Sequence, residues 1–89
     1  MIYTVYILRT INDRLYIGQT DDLRTRLKLH AGRLGAKFIK DNYDKFMLVY
    51  KEYFSTRLEA MHREKQLKGW SRAKKEALIA GDMDKLKKL

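Results

Sequence analysis

Two short segments rich in β-branched and aromatic residues lie at the start of the chain, separated by the polar residues Asn12 and Asp13. Such residues favour strands, and a few polar residues between two strands favour a tight turn. Residues 2–8 and 15–19 are therefore predicted to form an antiparallel hairpin, to which the rest of a short chain must adapt.

The length of the hairpin loop decides which side chains share a face of the sheet, because side chains alternate along a strand. A two-residue turn would place Tyr16 opposite Arg9, with Tyr6 and Tyr16 on opposite faces. A three-residue loop would place Tyr16 opposite Leu8 or Thr10 and bring both hydroxyls to one face. If the two tyrosines act together, the loop has three residues, and an Asn or Asp takes the left-handed position.

The next two elements follow from hydrophobic spacing. Apolar residues at helical spacing predict a helix over residues 21–31, capped by Thr20 with acidic residues in its first turn and ending near Gly32. Residues 32–45 are interpreted as a connecting loop. Residues 46–54 contain no turn residue and are predicted to form a third strand that lies centrally or packs against helices on one face.

Two further helices are predicted towards the C-terminal end. A capping box at Thr56 starts a helix over residues 57–68, and Ser71 caps a final helix that is followed by one more short helical turn. The 89 residues fit a single α+β domain in the order β-β-α-β-α-α. Its core is expected over about residues 2–80, with a short basic extension over residues 81–89.

Twenty Lys and Arg residues against eleven Asp and Glu residues give the chain a net charge of +9, spread along its length. This excess favours a polyanion, because phosphates neutralised by Lys and Arg release condensed counterions. Nucleic acid is therefore the leading partner, ahead of anionic lipid or an ordinary solvated surface. The absence of Cys excludes a disulfide-linked partner and a thiolate metal site. No signal peptide or membrane span is recognised, so a cytoplasmic protein is expected.

Three polar side chains stand out on the predicted helices. Arg26 and His30 are four residues apart and lie one above the other at the edge of an apolar stripe, so they can point together into a shallow site. Glu64 lies within the apolar stripe of the next helix. An ionised carboxylate in that position needs an ion pair, hydrogen bonds or a metal ion.

These residue types suit the cleavage of a phosphodiester. An arginine balances phosphate charge, a carboxylate holds a hard divalent cation, and a His or Tyr handles the proton of the attacking water. One strongly placed carboxylate is too few for a two-metal site, so a single Mg²⁺ that retains several waters fits better. The structural alternative is that Glu64 is only salt-bridged to a neighbouring Lys or Arg.

Several short motifs occur in a fixed order. They are VYI at 5–7, YIG at 16–18, then Arg26, His30 and Glu64, together with GAK at 35–37, LVY at 48–50 and LKGWSRAKKEALI at 67–79. The first five resemble the GIY-YIG nuclease superfamily, and the others resemble its small standalone bacterial members. The resemblance implies a three-stranded antiparallel sheet flanked by helices, and hydrolysis of DNA that depends on Mg²⁺ or Mn²⁺.

The resemblance also implies a role for each site residue. Tyr6 and Tyr16 would be the two motif tyrosines, one of which positions or deprotonates the attacking water. Arg26 would bind the scissile phosphate, and His30 would assist proton transfer or hold the nucleophile. Glu64 would ligate the metal ion.

Gly18, the last residue of the second motif, would let the backbone approach the site closely. Two positions depart from the family pattern. Thr4 replaces the first Gly of the first motif, as it does in the standalone members. Many family nucleases also carry an Asn after the metal-binding Glu, whereas no Asn follows Asn42 here. Either that residue is dispensable, Gln66 replaces it, or turnover is weak.

A surface for nucleic acid is predicted beside the site. Basic and aromatic residues alternate in residues 32–45, which suits a phosphate backbone and an unstacked base. An ordinary solvated loop explains them equally well. Because no separate sequence-reading module is recognised, the expected substrate is single-stranded or branched DNA, with DNA favoured over RNA, and the protein is expected to be a monomer or weak dimer. The candidate contacts are Arg24, Lys37, Phe38, Lys40, Lys68 and Arg72.

Two other functions remain open at this point. One is a nucleic-acid-binding module that keeps the nuclease scaffold with little activity, for which binding needs no divalent ion. The other is a basic subunit that docks on an acidic protein.

Overall fold

The computed structural model describes residues 1–31 and 46–89, with the side chains of 29–31 excepted. It confirms the α+β class, and the short helical turn predicted near the C-terminal end forms the fourth helix of the described residues. Within the described residues no helix is long and apolar enough to span a membrane. The elements are β1 (Tyr3–Thr10), β2 (Leu15–Thr20), α1 (Leu23–Ala31), β3 (Phe46–Phe54), α2 (Arg57–Lys68), α3 (Arg72–Ala80) and α4 (Met83–Lys88).

The three strands form one antiparallel sheet in the order β2-β1-β3. Strand β1 is therefore central in the described sheet, and its side chains are the most completely buried. Of the two positions predicted for β3, the central one is wrong. The strand lies at an edge, and Val49, Tyr50 and Phe54 pack against the core beneath the helices. Its hydrophobic character thus reflects packing on one face.

The core lies between one face of the sheet and the C-terminal helices. Val5 and Ile7 of β1 pack with Ala60 and Leu67 of α2 and with Leu78 of α3, and each of these residues is at most 5% exposed. This packing places α2 across the helix-facing side of the sheet. The other side of β1 carries Tyr6 and its neighbours.

Helix α1 begins later than the sequence predicts, and its cap is Asp22 rather than Thr20. The Asp22 carboxylate accepts hydrogen bonds from the Thr25 amide at 3.2 Å and the Thr25 hydroxyl at 2.7 Å. The Asp22 carbonyl accepts the first helical bond, from the Arg26 amide at 3.0 Å. Thr20 is instead the last residue of β2, and its hydroxyl accepts from the Asp22 amide. Asp caps helices at least as well as Thr.

The capping predictions for the next two helices are confirmed. The Thr56 hydroxyl accepts from the Glu59 amide at 3.2 Å and donates to the Glu59 carboxylate at 2.9 Å. The Ser71 hydroxyl accepts from the Lys74 amide at 3.2 Å. Both helices therefore begin at fixed points, which sets the angular position of every side chain along them.

Four charged side chains connect the hairpin to α3. Arg9 forms a two-point ion pair with Glu76 and also donates to Asp13 at 2.8 Å. Arg72 donates to Glu76 at 2.9 Å and to the Asp13 carbonyl at 2.8 Å. We call Arg9, Asp13, Arg72 and Glu76 the hairpin clamp. Its two cations and two anions balance each other, and it fixes the hairpin loop against α3.

The clamp predicts a specific sensitivity to acid. Hydrogen bonds from Arg9, reinforced by Arg72, hold the pKa of Glu76 at about 2, below its ordinary value of 4.5. A depressed pKa contributes stability above about pH 4.5, and this contribution is lost as the pH falls towards 2. Because about a third of the Glu76 side chain is exposed, we expect Glu76→Gln to cost only about 1–2 kcal/mol at pH 7. Thermal unfolding should show a melting temperature lower by about 4–16 °C.

The same scans repeated from pH 7 to pH 2 provide the control. The difference in melting temperature between wild type and Glu76→Gln should shrink through this range. Asp84→Asn, which removes an exposed carboxylate that has no ion pair within the described residues, should give a curve parallel to that of wild type. A constant difference for Glu76→Gln would contradict the assigned role.

Candidate active site

The hairpin loop contains three residues, 11–13, as the joint action of the two tyrosines requires. The Asp13 amide donates to the Thr10 carbonyl at 2.9 Å, and the Thr10 amide donates to the Arg14 carbonyl at 2.9 Å. Asp13 has a φ of 61°, in the left-handed region that Asp tolerates better than most residues. The resulting register pairs Leu8 with Tyr16. The predicted loop length and the predicted type of left-handed residue are both confirmed.

This register places Tyr6 and Tyr16 on one face of the sheet. Tyr6 pairs with Gly18, two residues beyond Tyr16, so the three positions follow one another on that face. The Tyr6 ring lies directly over Gly18, where a β-carbon would be 2.5 Å from the Tyr6 hydroxyl oxygen and 2.7 Å from Cζ. Tyr6 is only 3% exposed. The absence of a side chain at Gly18 therefore creates the space that the Tyr6 ring occupies.

Charged groups from two different helices act electrostatically on the Tyr6 hydroxyl. Burial raises its pKa, and the negative charge of Glu64 raises it further. Arg26 acts in the opposite direction through its positive charge and a hydrogen bond to the hydroxyl. Three residues that are widely separated in the sequence, from β1, α1 and α2, are therefore coupled electrostatically.

Glu64 lies on the inner half of α2, four residues after the buried Ala60 and three before the buried Leu67. Its side chain is 21% exposed, which agrees with the inward direction predicted from the apolar stripe. The carboxylate forms an ion pair with Lys68 at 2.9 Å, one helical turn later. The ion pair with a neighbouring Lys or Arg, which the sequence left open as a structural role for Glu64, is therefore present. The same carboxylate also acts electrostatically on Tyr6.

A cluster of charged and aromatic side chains next to Glu64 connects α2 to β3. Arg63 donates to Glu52 of β3 at 2.9 Å and lies over the Trp70 ring at 5.2 Å. The Tyr50 hydroxyl donates a hydrogen bond to the same Glu52 carboxylate. The Lys74 ammonium also lies over the Trp70 ring, 4.6 Å from its centre. This cluster fixes the residue that precedes Glu64 and so determines where α2 presents its carboxylate.

The remaining predicted catalytic residues lie on α1 and β2. Arg26 is exposed apart from its contact with Tyr6, as a phosphate-binding guanidinium must be. His30 is one turn further along α1, and its side chain is outside the described residues. Tyr16 is half-buried and lines an open surface pocket of about 310 Å³ with Arg14, Leu15, Arg72 and Lys75. Its hydroxyl and that of Tyr6 share a face but have different surroundings.

The predicted nucleic-acid contacts divide into three groups. Arg24 is exposed on α1 and is close enough to Asp22 to help lower the pKa of that carboxyl, after the larger effect of Thr25. Lys68 and Arg72 both form ion pairs with carboxylates. The predictions for Lys37, Phe38 and Lys40 lie outside the described residues.

Sequence reasoning did not name Arg14, and it noted Lys75 only as one of the basic residues of the C-terminal end that could contact nucleic acid or simply be solvated. Both line the pocket beside Tyr16. Arg14 follows the hairpin loop directly, and Lys75 lies three residues after Arg72, so helical spacing alone would have placed Lys75 beside Arg72. Only the contact between hairpin and α3 shows that Arg14 joins them.

Comparison with known proteins identifies the family. The GIY-YIG catalytic domain family matches residues 2–77. A UPF0213 protein of Bacillus pumilus is 39% identical over 83% of this chain and 74% of its own length. A UPF0213 protein of Staphylococcus haemolyticus is 39% identical over 84% of this chain and 90% of its own length.

A solved structure gives the same result. The solution NMR structure of a UPF0213 protein from Bacillus halodurans is similar, with a TM-score of 0.59 and 39% identity. The match covers 90% of this chain and 84% of that one. With the motif tyrosines on one face and Arg26 and Glu64 acting on Tyr6, the chain belongs to the GIY-YIG nuclease family, as a small protein similar to the UPF0213 group.

Proposed function

We propose that this protein is a metal-dependent nuclease that hydrolyses phosphodiester bonds in DNA and prefers single-stranded or branched substrates. The observation that carries the proposal is the hydrogen bond of Arg26 to the Tyr6 hydroxyl, together with the electrostatic effect of Glu64 on the same group. A cation, a carboxylate and a hydroxyl that interact electrostatically supply the groups needed to bind a phosphate, hold a divalent cation and orient water. Membership of the GIY-YIG family supports this assignment.

Each residue is assigned one task. The exposed guanidinium of Arg26 binds the non-bridging oxygens of the scissile phosphate and balances the charge that develops there. Tyr6 keeps its proton at neutral pH, since burial raises its pKa above the ordinary value of 10. Its hydroxyl therefore orients the attacking water by hydrogen bonding and does not act as the base.

Removal of the proton is assigned to His30. An imidazole titrates near neutral pH, which suits a general base better than a buried phenol does. His30 lies one helical turn from Arg26, at a spacing that places both residues on the same face of α1. Tyr16 is assigned to the side of the site away from His30, where it positions the DNA strand.

The donor set suits one hard divalent cation. Among the residues that the structure describes, no cluster of three or more His, Cys, Asp or Glu side chains could hold a metal ion. Mg²⁺ is commonly bound by one or two carboxylates, with water and substrate phosphates as its other ligands. Glu64, half-buried on α2 and acting electrostatically on Tyr6, fits that single carboxylate, for Mg²⁺ or Mn²⁺ alike. Bound there, the cation would stabilise negative charge on the phosphate.

The preference for unpaired strands is supported by an exposed aromatic on the same face. Register pairs Lys51 with Tyr6 and Tyr53 with Thr4, so both β3 residues share the face of Tyr6. Tyr53 is 57% exposed, and the Lys51 ammonium lies 5.7 Å from its ring centre. A cation beside an exposed ring is typical of surfaces on which unstacked bases rest.

A cleavage assay tests the proposal. Labelled oligonucleotides in single-stranded, duplex and branched forms, as DNA and as RNA, are incubated with the protein and Mg²⁺, Mn²⁺ or a chelator. We expect Mg²⁺- or Mn²⁺-dependent cleavage, fastest on single-stranded or branched DNA. Cleavage that persists in the chelator would remove the metal from the proposal, and equal rates on intact duplex would remove the strand preference.

One observation favours a second function. Lys68 already neutralises Glu64 at 2.9 Å, which leaves less charge for a cation. If this ion pair persists, Glu64 does not bind a metal ion, and the protein is then a nucleic-acid-binding module with little activity. This function predicts that every oligonucleotide in the panel is bound in a salt-dependent way with chelator present, and that none is cut.

A further inference from the structure

A second cationic feature lies beside the catalytic residues, at the contact between hairpin and α3. The pocket of about 310 Å³ lined by Arg14, Leu15, Tyr16, Arg72 and Lys75 has three cations in its walls. We call it the hairpin pocket. Its volume is at the lower end of the range of about 300–1,000 Å³ that small-molecule sites occupy. Tyr16 belongs both to this pocket and to the second family motif, so the pocket adjoins the site already described.

The three cations are not equivalent, because within the described part of the chain only Arg72 is paired with carboxylates. Arg72 is held by Asp13 at 3.0 Å and by Glu76 at 2.8 Å as part of the hairpin clamp. Arg14 and Lys75 have no carboxylate within 4 Å among the residues that the structure describes. The clamp is neutral overall, so it supplies rigidity, while Arg14 and Lys75 leave two uncompensated positive charges at the pocket.

Those charges come from two separate parts of the fold that the clamp holds together. Arg14 belongs to the hairpin, and Lys75 lies one turn into α3. Cations that would repel each other are kept close by an ion-pair network, and an anion between them relieves the repulsion. A half-buried aromatic wall at Tyr16 adds a surface for the sugar or base attached to that anion.

We propose that the hairpin pocket binds a backbone phosphate of the substrate strand, one that flanks the scissile phosphate on the Tyr16 side. The inference rests on the proposed nuclease function for the identity of the strand. Arg14 and Lys75 contact the phosphate, and Tyr16 contacts the adjoining nucleotide. The pocket thereby fixes the direction in which single-stranded DNA leaves the site.

The binding test uses the double variant Arg14→Ala/Lys75→Ala and the charge-matched control Lys87→Ala/Lys88→Ala, whose lysines are exposed on α4. Fluorescence anisotropy measures the affinity of each for a labelled single-stranded oligonucleotide in chelator over a range of salt. We expect the pocket variant to bind roughly tenfold more weakly at low salt, with a slope of log affinity against log salt shallower by about 1.4. The control should stay within about twofold of wild type.

Equal losses in the two variants would overturn the proposal, because net charge alone would then explain binding. Inorganic phosphate in excess provides a further arm. It should compete with the oligonucleotide for wild type more effectively than for the pocket variant if the pocket recognises the phosphate group itself. Equal competition would also count against the pocket. Circular dichroism spectra of both variants should match wild type, since neither Arg14 nor Lys75 belongs to the clamp.

A second experiment locates the phosphate on the strand. Oligonucleotides that carry one uncharged methylphosphonate linkage at successive positions are bound in the same assay. For wild type, one flanking position should weaken binding severalfold, and this penalty should disappear in the pocket variant. A penalty of equal size in both proteins would contradict the assignment. Both measurements omit metal, so an absence of cleavage, which would defeat the proposed nuclease function, leaves the test of the pocket intact.

Discussion

Glu64→Gln is expected to lower the rate of DNA cleavage by at least ~100-fold, because loss of the carboxylate proposed to hold the metal would cost several kcal/mol of transition-state stabilisation. The amide keeps the size of the side chain, so α2 should pack as before. Binding of single-stranded DNA in chelator should remain within about threefold of wild type. Single-turnover cleavage and anisotropy on the same preparations measure the two effects separately.

Glu59→Gln is the matched control, since it makes the same change on the same helix. Glu59 accepts a hydrogen bond from the Thr56 hydroxyl, which a Gln oxygen can also accept, so the cap survives. If the only role of Glu64 is its ion pair with Lys68, worth about 0.3–0.5 kcal/mol on a helix surface, Glu64→Gln should behave like this control. Two equal, near wild-type rates would therefore defeat the catalytic assignment.

Gly18→Ala is expected to damage both stability and cleavage. The new β-carbon would lie 2.5 Å from the Tyr6 hydroxyl oxygen, closer than any normal contact. The Tyr6 ring is 97% buried and cannot swing into solvent, so it must shift within packed surroundings. Overpacking of this kind costs about 1–3 kcal/mol, and displacement of the hydroxyl from Arg26 should slow cleavage by at least ~10-fold. Thermal unfolding and single-turnover kinetics measure the two losses.

Gly69→Ala gives the comparison for the same substitution without crowding. Gly69 has a φ of −84°, and its nearest neighbour would be the Gln66 carbonyl oxygen at an ordinary 3.5 Å. An added methyl group there should leave stability unchanged or raise it by about 0.4–1 kcal/mol. If Gly18→Ala behaves in the same way, the close contact between Tyr6 and Gly18 has no functional weight.

Local rules predicted most of the elements correctly. The loop length followed from the requirement that Tyr6 and Tyr16 share a face, and turn chemistry identified the left-handed residue as an Asn or Asp. The predicted bounds of the third strand, residues 46–54, match those of β3, because this segment contains no turn residue. The cap of α1 was misplaced by two residues since Thr20 and Asp22 are both good caps, and only the end of β2 decides between them.

Features that depend on distant contacts could not be predicted. The order of the strands is one example, because hydrophobicity does not distinguish a central strand from an edge strand packed on one face. Arg9 and Glu76, 67 positions apart, give no pairing signal in the sequence. The inward direction of Glu64 could be read from its helix, whereas its contact with Lys68 and its effect on Tyr6 had to be seen in three dimensions.

The three-residue loop also limits how this protein can change over generations. Surface loops ordinarily tolerate insertions and deletions. Here the insertion or deletion of one residue in segment 11–13 would shift the register of β2 by one position. The shift would bring Tyr16 and Gly18 under the helices and expose Leu15 and Ile17 to solvent. A single-codon deletion would thus disrupt both the packing of the core and the arrangement of side chains on the Tyr6 face. Selection for a folded chain is therefore sufficient to preserve the relative placement of the two tyrosines, even in a lineage where cleavage no longer matters.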